Sequence, residues 1–134
     1  MRHRTALVLV LCVLPALATA QNPKAFAGTW EAKFKDDVFC VLKIDVSGKI
    51  SGTMSAGSID INHEGELTNA TPSDKSYPIL NAKVERGALS FDWKDDSDDP
   101  AVEFEMKLTG PGKATFRIIY EDHPNVKPWP LTKK

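Results

Sequence analysis

Apolar and polar residues alternate along most of the chain from Gly28 onward, with the period of two that is typical of β-strands. In the first alternating segment Trp30, Ala32 and Phe34 share one face, and charged residues occupy the positions between them. Later segments repeat the pattern, and their apolar faces are Val38, Cys40, Leu42, Ile44 and Val46; Ile50, Met54 and Ala56; Ile59 and Ile61; Leu80, Ala82 and Val84; Leu89, Phe91 and Trp93; Val102, Phe104, Met106 and Leu108; and Phe116, Ile118 and Tyr120. The pattern predicts eight or nine short strands and no amphipathic helix of useful length.

The connections between these segments carry turn-forming residues, which predicts an antiparallel meander. Ser47 and Gly48, residues 85–87 and residues 110–112 each separate two alternating segments. The polar stretch 69–78 is the longest connection, and residues 95–100 form another turn. A closed barrel leaves no exposed strand edges. We therefore predict an all-β fold, a single up-and-down meander closed into a barrel of about eight strands.

The first 20 residues have the pattern of an export signal. Arg2 and Arg4 precede an apolar run over residues 6–14, and Ala18, Thr19 and Ala20 supply the small residues of a cleavage site. We therefore expect cleavage after Ala20 and a secreted or periplasmic protein. Because the apolar run is shorter than the ~20 residues that cross a bilayer, we expect no membrane span.

Residues 21–134 have the length of a single domain with its own core. Their last segment, 124–134, places three prolines around Trp129, which predicts an extended, polyproline-like tail outside the barrel. This tail would either cap the mouth of the barrel or present Trp129 to a partner.

Few residues form a pattern with catalytic or metal-binding chemistry. Removal of the export signal leaves Cys40 as the only cysteine, and its place on an apolar face predicts a buried core residue and not a nucleophile. The run 95–99 lacks the central glycine and closing glutamate of a calcium-binding loop, so we expect a solvent-exposed hairpin tip. No motif places a nucleophile beside His63 or His123. The sequence predicts no enzyme, no cofactor and no metal site.

The overall charge is close to zero and does not indicate a class of partner. The sequence contains 17 lysines and arginines against 18 aspartates and glutamates, and no basic stripe runs along any predicted strand. Nucleic-acid-binding domains carry such a stripe or patch. We therefore expect no nucleic-acid partner.

The segment 22–30, NPKAFAGTW, resembles the glycine-x-tryptophan signature that opens lipocalins, with Glu31 where lipocalins usually carry an aromatic residue, leucine, arginine or histidine. The longer segment 28–56 is similar to the start of the avidins. Both families belong to the calycin group, so the resemblance implies a calycin-like barrel. Avidins bind biotin through an asparagine and a tyrosine at positions where this chain has Ala32 and Met54. We therefore expect no biotin binding.

The lipocalin resemblance also implies a cation over the tryptophan. A lipocalin tryptophan commonly packs under an arginine from the final strands, and Arg117 is the only candidate by position. Its neighbours Phe116 and Ile118, however, occupy the inward-facing positions of that strand, which places Arg117 on the opposite face.

Two classes of function fit this barrel. In the first, the resemblance to lipocalins implies a small apolar ligand in the interior, lined by Trp30, Phe34, Leu42, Met54, Phe91, Trp93, Phe104 and Tyr120. In the second, side chains fill the interior and the protein acts through its outer surface as a secreted inhibitor or accessory protein with a protein partner. An eight-stranded barrel is wide enough for either arrangement. We favour the ligand carrier, and the free volume inside the barrel separates the two hypotheses.

Overall fold

The computed structural model describes residues 22–122 and 125–134, and the regular secondary structure of this part of the chain is β-strand apart from one short 3-10 helix. The export signal predicted over residues 1–20 lies outside it. A short 3-10 helix, Pro23–Phe26, comes first, capped by the Asn22 side chain, which accepts a hydrogen bond from Lys24 N. The strands that follow in the described residues are β1 (Gly28–Phe34), β2 (Asp37–Asp45), β3 (Ser51–Ala56), β4 (Ile59–Ile61), β5 (Leu67–Ala70), β6 (Tyr77–Glu85), β7 (Ala88–Trp93), β8 (Val102–Gly110), β9 (Lys113–Ile119) and β10 (Trp129–Lys133).

Eight strands of the described chain form one closed antiparallel barrel in the order β1-β10-β9-β8-β7-β6-β3-β2. The two others, β4 and β5, form a separate hairpin inserted between β3 and β6. Successive barrel strands are neighbours, and β10 pairs with β1 to close the sheet. The predicted all-β, up-and-down barrel is confirmed, and the arrangement is consistent with a calycin-like fold.

The last segment of the chain corrects the prediction of an extended tail. Trp129 pairs with Phe116 on β9, and the strand that it begins also pairs with β1. Trp129 and Leu131 are buried, whereas Pro130 and Thr132 between and after them are exposed. Residues 129–133 are therefore a barrel strand. Its alternation was hard to recognise in the sequence because Pro128 precedes it and Pro130 lies within it. Trp129 is only 6% exposed and is not presented to a partner.

A β-bulge brings two neighbouring residues of β2 into the core. Ala32 pairs with Cys40 and Lys33 pairs with Val38, so Phe39 is the extra residue. Such a bulge interrupts the alternation of faces, and Phe39 and Cys40 are both buried. The prediction that Cys40 is a core residue is confirmed.

A second bulge shifts the predicted face of β6. Between the pairs of Leu80 and Lys83 with β7, two residues of β6 oppose one residue of its partner. Asn81 lies here with φ +55°, a left-handed conformation that asparagine tolerates, and its amide donates to Asp92 over 2.9 Å. Leu80, predicted to face inward, is 45% exposed, and Ile79 is buried in its place.

The interior of the barrel is occupied by its own side chains. The rings of Phe104 and Phe116 lie nearly parallel with centres 4.9 Å apart, and Phe91 stacks on Phe104 at 5.7 Å. The large side chains that are fully buried include Trp30, Phe39, Leu42, Met54, Leu89, Phe91, Phe104, Met106 and Phe116.

The barrel end that carries the 3-10 helix is closed by short connections, and we call it the closed end. Residues 46–50, 86–87 and 111–112 join strands there. Phe26 of the 3-10 helix is buried, and its carbonyl accepts a hydrogen bond from Trp30 Nε1 over 2.9 Å.

Lys133 packs over Trp30 at the closed end. Its Nζ atom lies 5.6 Å from the ring centre, which is a cation–π distance. The Lys133 side chain passes so close to Gly28 that a Cβ atom there would lie 2.5 Å from Lys133 Cε. Arg117, the only candidate by position in the sequence, donates to Glu105 over 3.1 Å on the outer face. Phe116 and Ile118 take the inward-facing positions of β9, so Arg117 is not the cation over Trp30, and the last strand supplies that cation instead.

Candidate functional site

The longest connections in the described chain meet at the end opposite the 3-10 helix, which we call the mouth. Residues 57–76 join β3 to β6, residues 94–101 join β7 to β8, and residues 120–128 join β9 to β10. Connections of an up-and-down barrel alternate between its two ends. The segments therefore come together although they are far apart in sequence.

A hairpin built from β4 and β5 extends across the mouth, and we call residues 57–71 the mouth hairpin. At its base Gly57 N donates to Thr71 O over 2.7 Å, and at its tip Lys127 N donates to Gly65 O over 2.8 Å. The hairpin therefore spans from β3 to the segment before β10. Its apolar residues pack against the barrel core, and these are Ile59, Ile61, Leu67 and Ala70.

Glycine is required at the tip of the mouth hairpin. Gly65 is buried with φ +82°, and a Cβ atom there would lie 2.0 Å from Asn125 O. The turn is held by Asn62, whose Oδ1 atom accepts hydrogen bonds from the backbone N–H groups of Glu64 and Glu66 at 3.0 and 2.9 Å. The sequence thus fixes both the shape of the tip and its close approach to residue 125.

A pocket of about 480 Å³ lies between the mouth hairpin and the connection 94–101, and we call it the mouth pocket. Its floor is the upper layer of the barrel core, where Trp93, Phe104 and Ile118 come from three adjacent strands. The lining residues are Ala56, Gly57, Ser58, Ile59, Ser73, Lys75, Tyr77, Trp93, Asp95, Asp96, Asp99, Val102, Phe104, Ile118 and Tyr120. The pocket thus combines an aromatic floor with a charged rim.

Trp93 is held rigidly in the floor of the mouth pocket. Its Nε1 atom donates to Met54 O over 3.0 Å and to Tyr77 O over 3.3 Å. Its ring meets the rings of Tyr77 and Phe104 edge to face, with centres 6.2 and 6.4 Å apart. Since its single polar group is already satisfied, Trp93 offers the pocket an apolar surface in a fixed position.

The rim of the mouth pocket carries more acidic than basic groups. Lys75 is the one basic residue in the described lining, and its Nζ atom lies 3.7 Å from Asp96. Hydrogen bonds from the hydroxyl and the backbone N–H of Ser97 lower the pKa of Asp95. Within the described residues the Asp99 carboxylate makes neither a hydrogen bond nor an ion pair. Asp99 is therefore the rim carboxylate left without a partner.

Tyr77 links the floor of the mouth pocket to its rim. Desolvation is the largest cause that raises the pKa of its hydroxyl, and the neighbouring Asp96 raises it further. The Tyr77 hydroxyl and the Asp96 carboxylate are hydrogen-bond partners, with the phenol as the donor.

The eight residues predicted to line a ligand site do not form one site. Trp93, Phe104 and Tyr120 line the mouth pocket. Phe34 is half-buried beside the β1–β2 turn, where Lys35 lies over its ring at 5.4 Å. The residues that are fully buried below the pocket are Trp30, Leu42, Met54 and Phe91.

Sequence reasoning missed the rim and much of the wall of the mouth pocket. The sequence placed Tyr77 in the polar connection 69–78, Val102 on the apolar face of a strand, and the carboxylates of residues 95–99 at a solvent-exposed tip. One available signal would have identified them: in a meander, every second connection lies at the same end. The polar segments 57–76 and 94–101 are separated by two strands and one short turn, which places them together.

A second pocket, of about 340 Å³, lies along β4. Ile59, Ile61, His63 and Tyr120 are among its lining residues, and Ile59 and Tyr120 also line the mouth pocket. His63, a candidate base by sequence, is exposed there on the mouth hairpin.

Cys40 has the surroundings of a structural residue. The side chain is fully buried, and desolvation raises the pKa of its thiol from 9.0 to about 12. The thiolate is the nucleophilic form of cysteine. Because the Cys40 thiol stays protonated near neutral pH, it does not act as a nucleophile.

Residues 22–122 and 125–134 contain neither a cluster of candidate metal ligands nor a candidate membrane-spanning helix. Nowhere in these ranges do three His, Cys, Asp or Glu side chains come together as metal ligands. Nor does this part of the chain contain a helix long and apolar enough to span a bilayer.

Comparisons with protein-family models, with curated proteins and with solved structures give no match to this chain. A functional assignment therefore depends on the barrel and on the geometry of its mouth pocket.

Proposed function

We propose that this protein is an exported, non-enzymatic binding protein, a lipocalin-like carrier for a small ligand with an apolar body. The mouth pocket is the observation that carries this proposal. Sites for small molecules typically measure about 300–1,000 Å³ and combine apolar walls with a few polar groups. A pocket of about 480 Å³ with Trp93, Phe104 and Ile118 in its floor belongs to that class.

The proposal places the ligand at the mouth and not deep inside the barrel. The stacked rings of Phe91, Phe104 and Phe116 occupy the interior. Phe104 is both a member of this stack and part of the pocket floor. The apolar body of the ligand would therefore rest on the top of the packed core, with Trp93 beside it.

The likeness to lipocalins supports a carrier over an enzyme. The chain combines a glycine-x-tryptophan opening with an antiparallel closed barrel, and Trp30 lies under a cation from the last strand. The thiol of Cys40, buried in the core, contributes no nucleophile to the mouth pocket.

The packed interior favours a second candidate function. A barrel filled by its own side chains has a rigid outer surface, which suits a secreted inhibitor or accessory protein that binds a protein partner. The two candidates differ in whether the mouth pocket takes up a small molecule.

Titration with N-phenyl-1-naphthylamine, an uncharged apolar fluorophore, tests the proposal. We expect saturable binding at one site. Val102→Trp adds an apolar side chain at the pocket wall and should weaken probe binding by at least tenfold. Val46→Trp makes the same change in a half-buried residue at the closed end and should leave binding unchanged. Circular dichroism confirms that both variants are folded.

Two outcomes would contradict the carrier. Absence of saturable binding in the unmodified protein would leave the surface-binding candidate. Equal binding by the Val102→Trp and Val46→Trp variants would show that the probe does not occupy the mouth pocket.

A further inference from the structure

The barrel is electrically polarised along its axis. The segment 57–76 contains four acidic residues, 94–101 contains four and 120–128 contains two, against one lysine in each. At the closed end, the exposed carboxylates Asp45 and Glu85 border the connections of Lys49 and Arg86, and no excess of acidic residues is found there. The whole sequence carries a formal charge of only −1. The negative potential at the mouth therefore comes from the placement of charges and not from the overall composition.

The mouth pocket lies inside this negative field. Asp95, Asp96 and Asp99 line its rim, and the positive charge of Lys75 is offset by Asp96. Clefts lined by charge of one sign concentrate ligands of the opposite sign. The carboxylates belong to the rim of the pocket, whereas its floor is aromatic and apolar.

Aromatic side chains give the same pocket a second means of binding a cation. Trp93, Tyr77 and Tyr120 line it together. Aromatic rings attract ammonium groups through their quadrupoles, and tryptophan does so most strongly. A cationic head group would thus meet carboxylates at the rim while its apolar body rests on aromatic rings.

We propose that the ligand of the mouth pocket is an organic amine or ammonium ion with an apolar body, and that Asp99 is its counter-charge. This inference rests on the proposed function and specifies the ligand class. Asp99 is the rim carboxylate without a partner in the described residues, so a ligand cation would not have to displace an existing ion pair. Carboxylate ligands such as fatty acids would be repelled by the same field.

Three compounds that share a pyrene ring test the ligand class: 1-pyrenemethylamine, 1-pyrenemethanol and 1-pyreneacetate. Fluorescence titrations of the exported protein at pH 7 and low salt should give the tightest binding for the amine and the weakest for the carboxylate, with at least a tenfold difference between them. Raising the ionic strength from 0.02 to 0.5 M should weaken amine binding by about three- to tenfold, because the Debye length falls. Binding of the alcohol should not change.

The neighbouring residue Asp98 provides a matched control for Asp99. Both side chains are exposed and carry the same charge in one connection, but only Asp99 lines the mouth pocket. Asp99→Asn should weaken amine binding by about two- to fivefold, the range for an exposed ion pair. Asp98→Asn should reduce the affinity for the amine by less than half the factor found for Asp99→Asn. Neither variant should alter binding of the alcohol.

The outcomes separate this inference from the proposed function. Equal affinities for the three compounds would overturn the amine inference and leave the carrier in place. Equal losses in Asp98→Asn and Asp99→Asn would overturn the assignment of Asp99. If none of the compounds binds, both the amine inference and the carrier fail.

Discussion

The three tryptophans of the chain differ in how their indole N–H groups are satisfied, and this difference predicts opposite effects of the same substitution. Trp30 donates to Phe26 O over 2.9 Å, and Trp93 donates to Met54 O over 3.0 Å. Within the described residues, the buried Nε1 atom of Trp129 has no acceptor. A buried donor without a partner costs about 1–3 kcal/mol.

We therefore expect Trp129→Phe to have almost no net effect on stability. The smaller ring gives up about 1–2 kcal/mol of apolar burial and packing. Removal of the unpaired N–H returns about 1–3 kcal/mol. The contacts of Trp129 with Phe39 and Phe116 are between rings and can be partly kept by phenylalanine. The free energy of unfolding should stay within about 1 kcal/mol of the unmodified protein.

Trp30→Phe is the matched comparison. It replaces an indole by the same smaller ring, but it also leaves Phe26 O without its hydrogen-bond donor. The free energy of unfolding should fall by about 2–4 kcal/mol. Urea titrations followed by far-ultraviolet circular dichroism measure both variants without relying on tryptophan emission, and a constant m value checks that unfolding stays two-state. A Trp129→Phe variant destabilised as much as Trp30→Phe would refute the reasoning and show that the Trp129 N–H is satisfied.

Three further predictions concern the mouth hairpin, the buried thiol and the packed core. Gly65→Ala should release the hairpin tip and speed hydrogen exchange at the Lys127 N–H. Gly48→Ala is the control, because a Cβ atom there meets open space. Equal exchange rates at Lys127 in the two variants would contradict the prediction. Burial raises the pKa of the Cys40 thiol from 9.0 to about 12, so the contribution of this group to stability is fully present below pH 9 and is lost at about 1.4 kcal/mol per pH unit between pH 9 and 12. In Cys40→Ala the free energy of unfolding should fall less steeply between pH 9 and 12. Parallel pH profiles of the variant and the unmodified protein would disprove this prediction. Met54→Trp should lower the free energy of unfolding by about 1–3 kcal/mol through overpacking, and an unchanged melting temperature would reveal spare room in the interior.

Alternation of apolar and polar residues predicted the barrel because its strands separate a filled interior from solvent. The prediction held wherever a strand is regular, as in β9, where Phe116 and Ile118 are buried and Arg117 faces outward. It failed at Leu80, because two adjacent apolar residues leave the phase of β6 undecided. The bulge at Asn81 then decides it through tertiary pairing with β7, which no local pattern encodes.

The last strand was missed for a different reason. Pro128 and Pro130 were interpreted as the mark of an extended tail, since proline cannot donate to a strand ladder. Trp129 and Leu131 nevertheless alternate with exposed neighbours. Two alternating residues are too few to identify a strand, and the eight alternating segments before it already sufficed to close the predicted barrel. The structure needs the last strand because β4 lies outside the barrel in the mouth hairpin.

The mouth pocket and the stability of the barrel depend on largely different residues. Residues that hold the barrel together, such as Leu42 and Met106, lie below the pocket and are fully buried. The carboxylates of Asp96 and Asp99 are exposed in a connection between β7 and β8, and exposed charges contribute little to folding. Substitutions at the rim can therefore change the charge of the pocket while the fold is kept. Phe104 is the point of overlap, since it belongs both to the core stack and to the pocket floor. Loss of binding in a Phe104 variant would be uninformative about the ligand, whereas loss in Asp99→Asn with unchanged stability would report on binding alone.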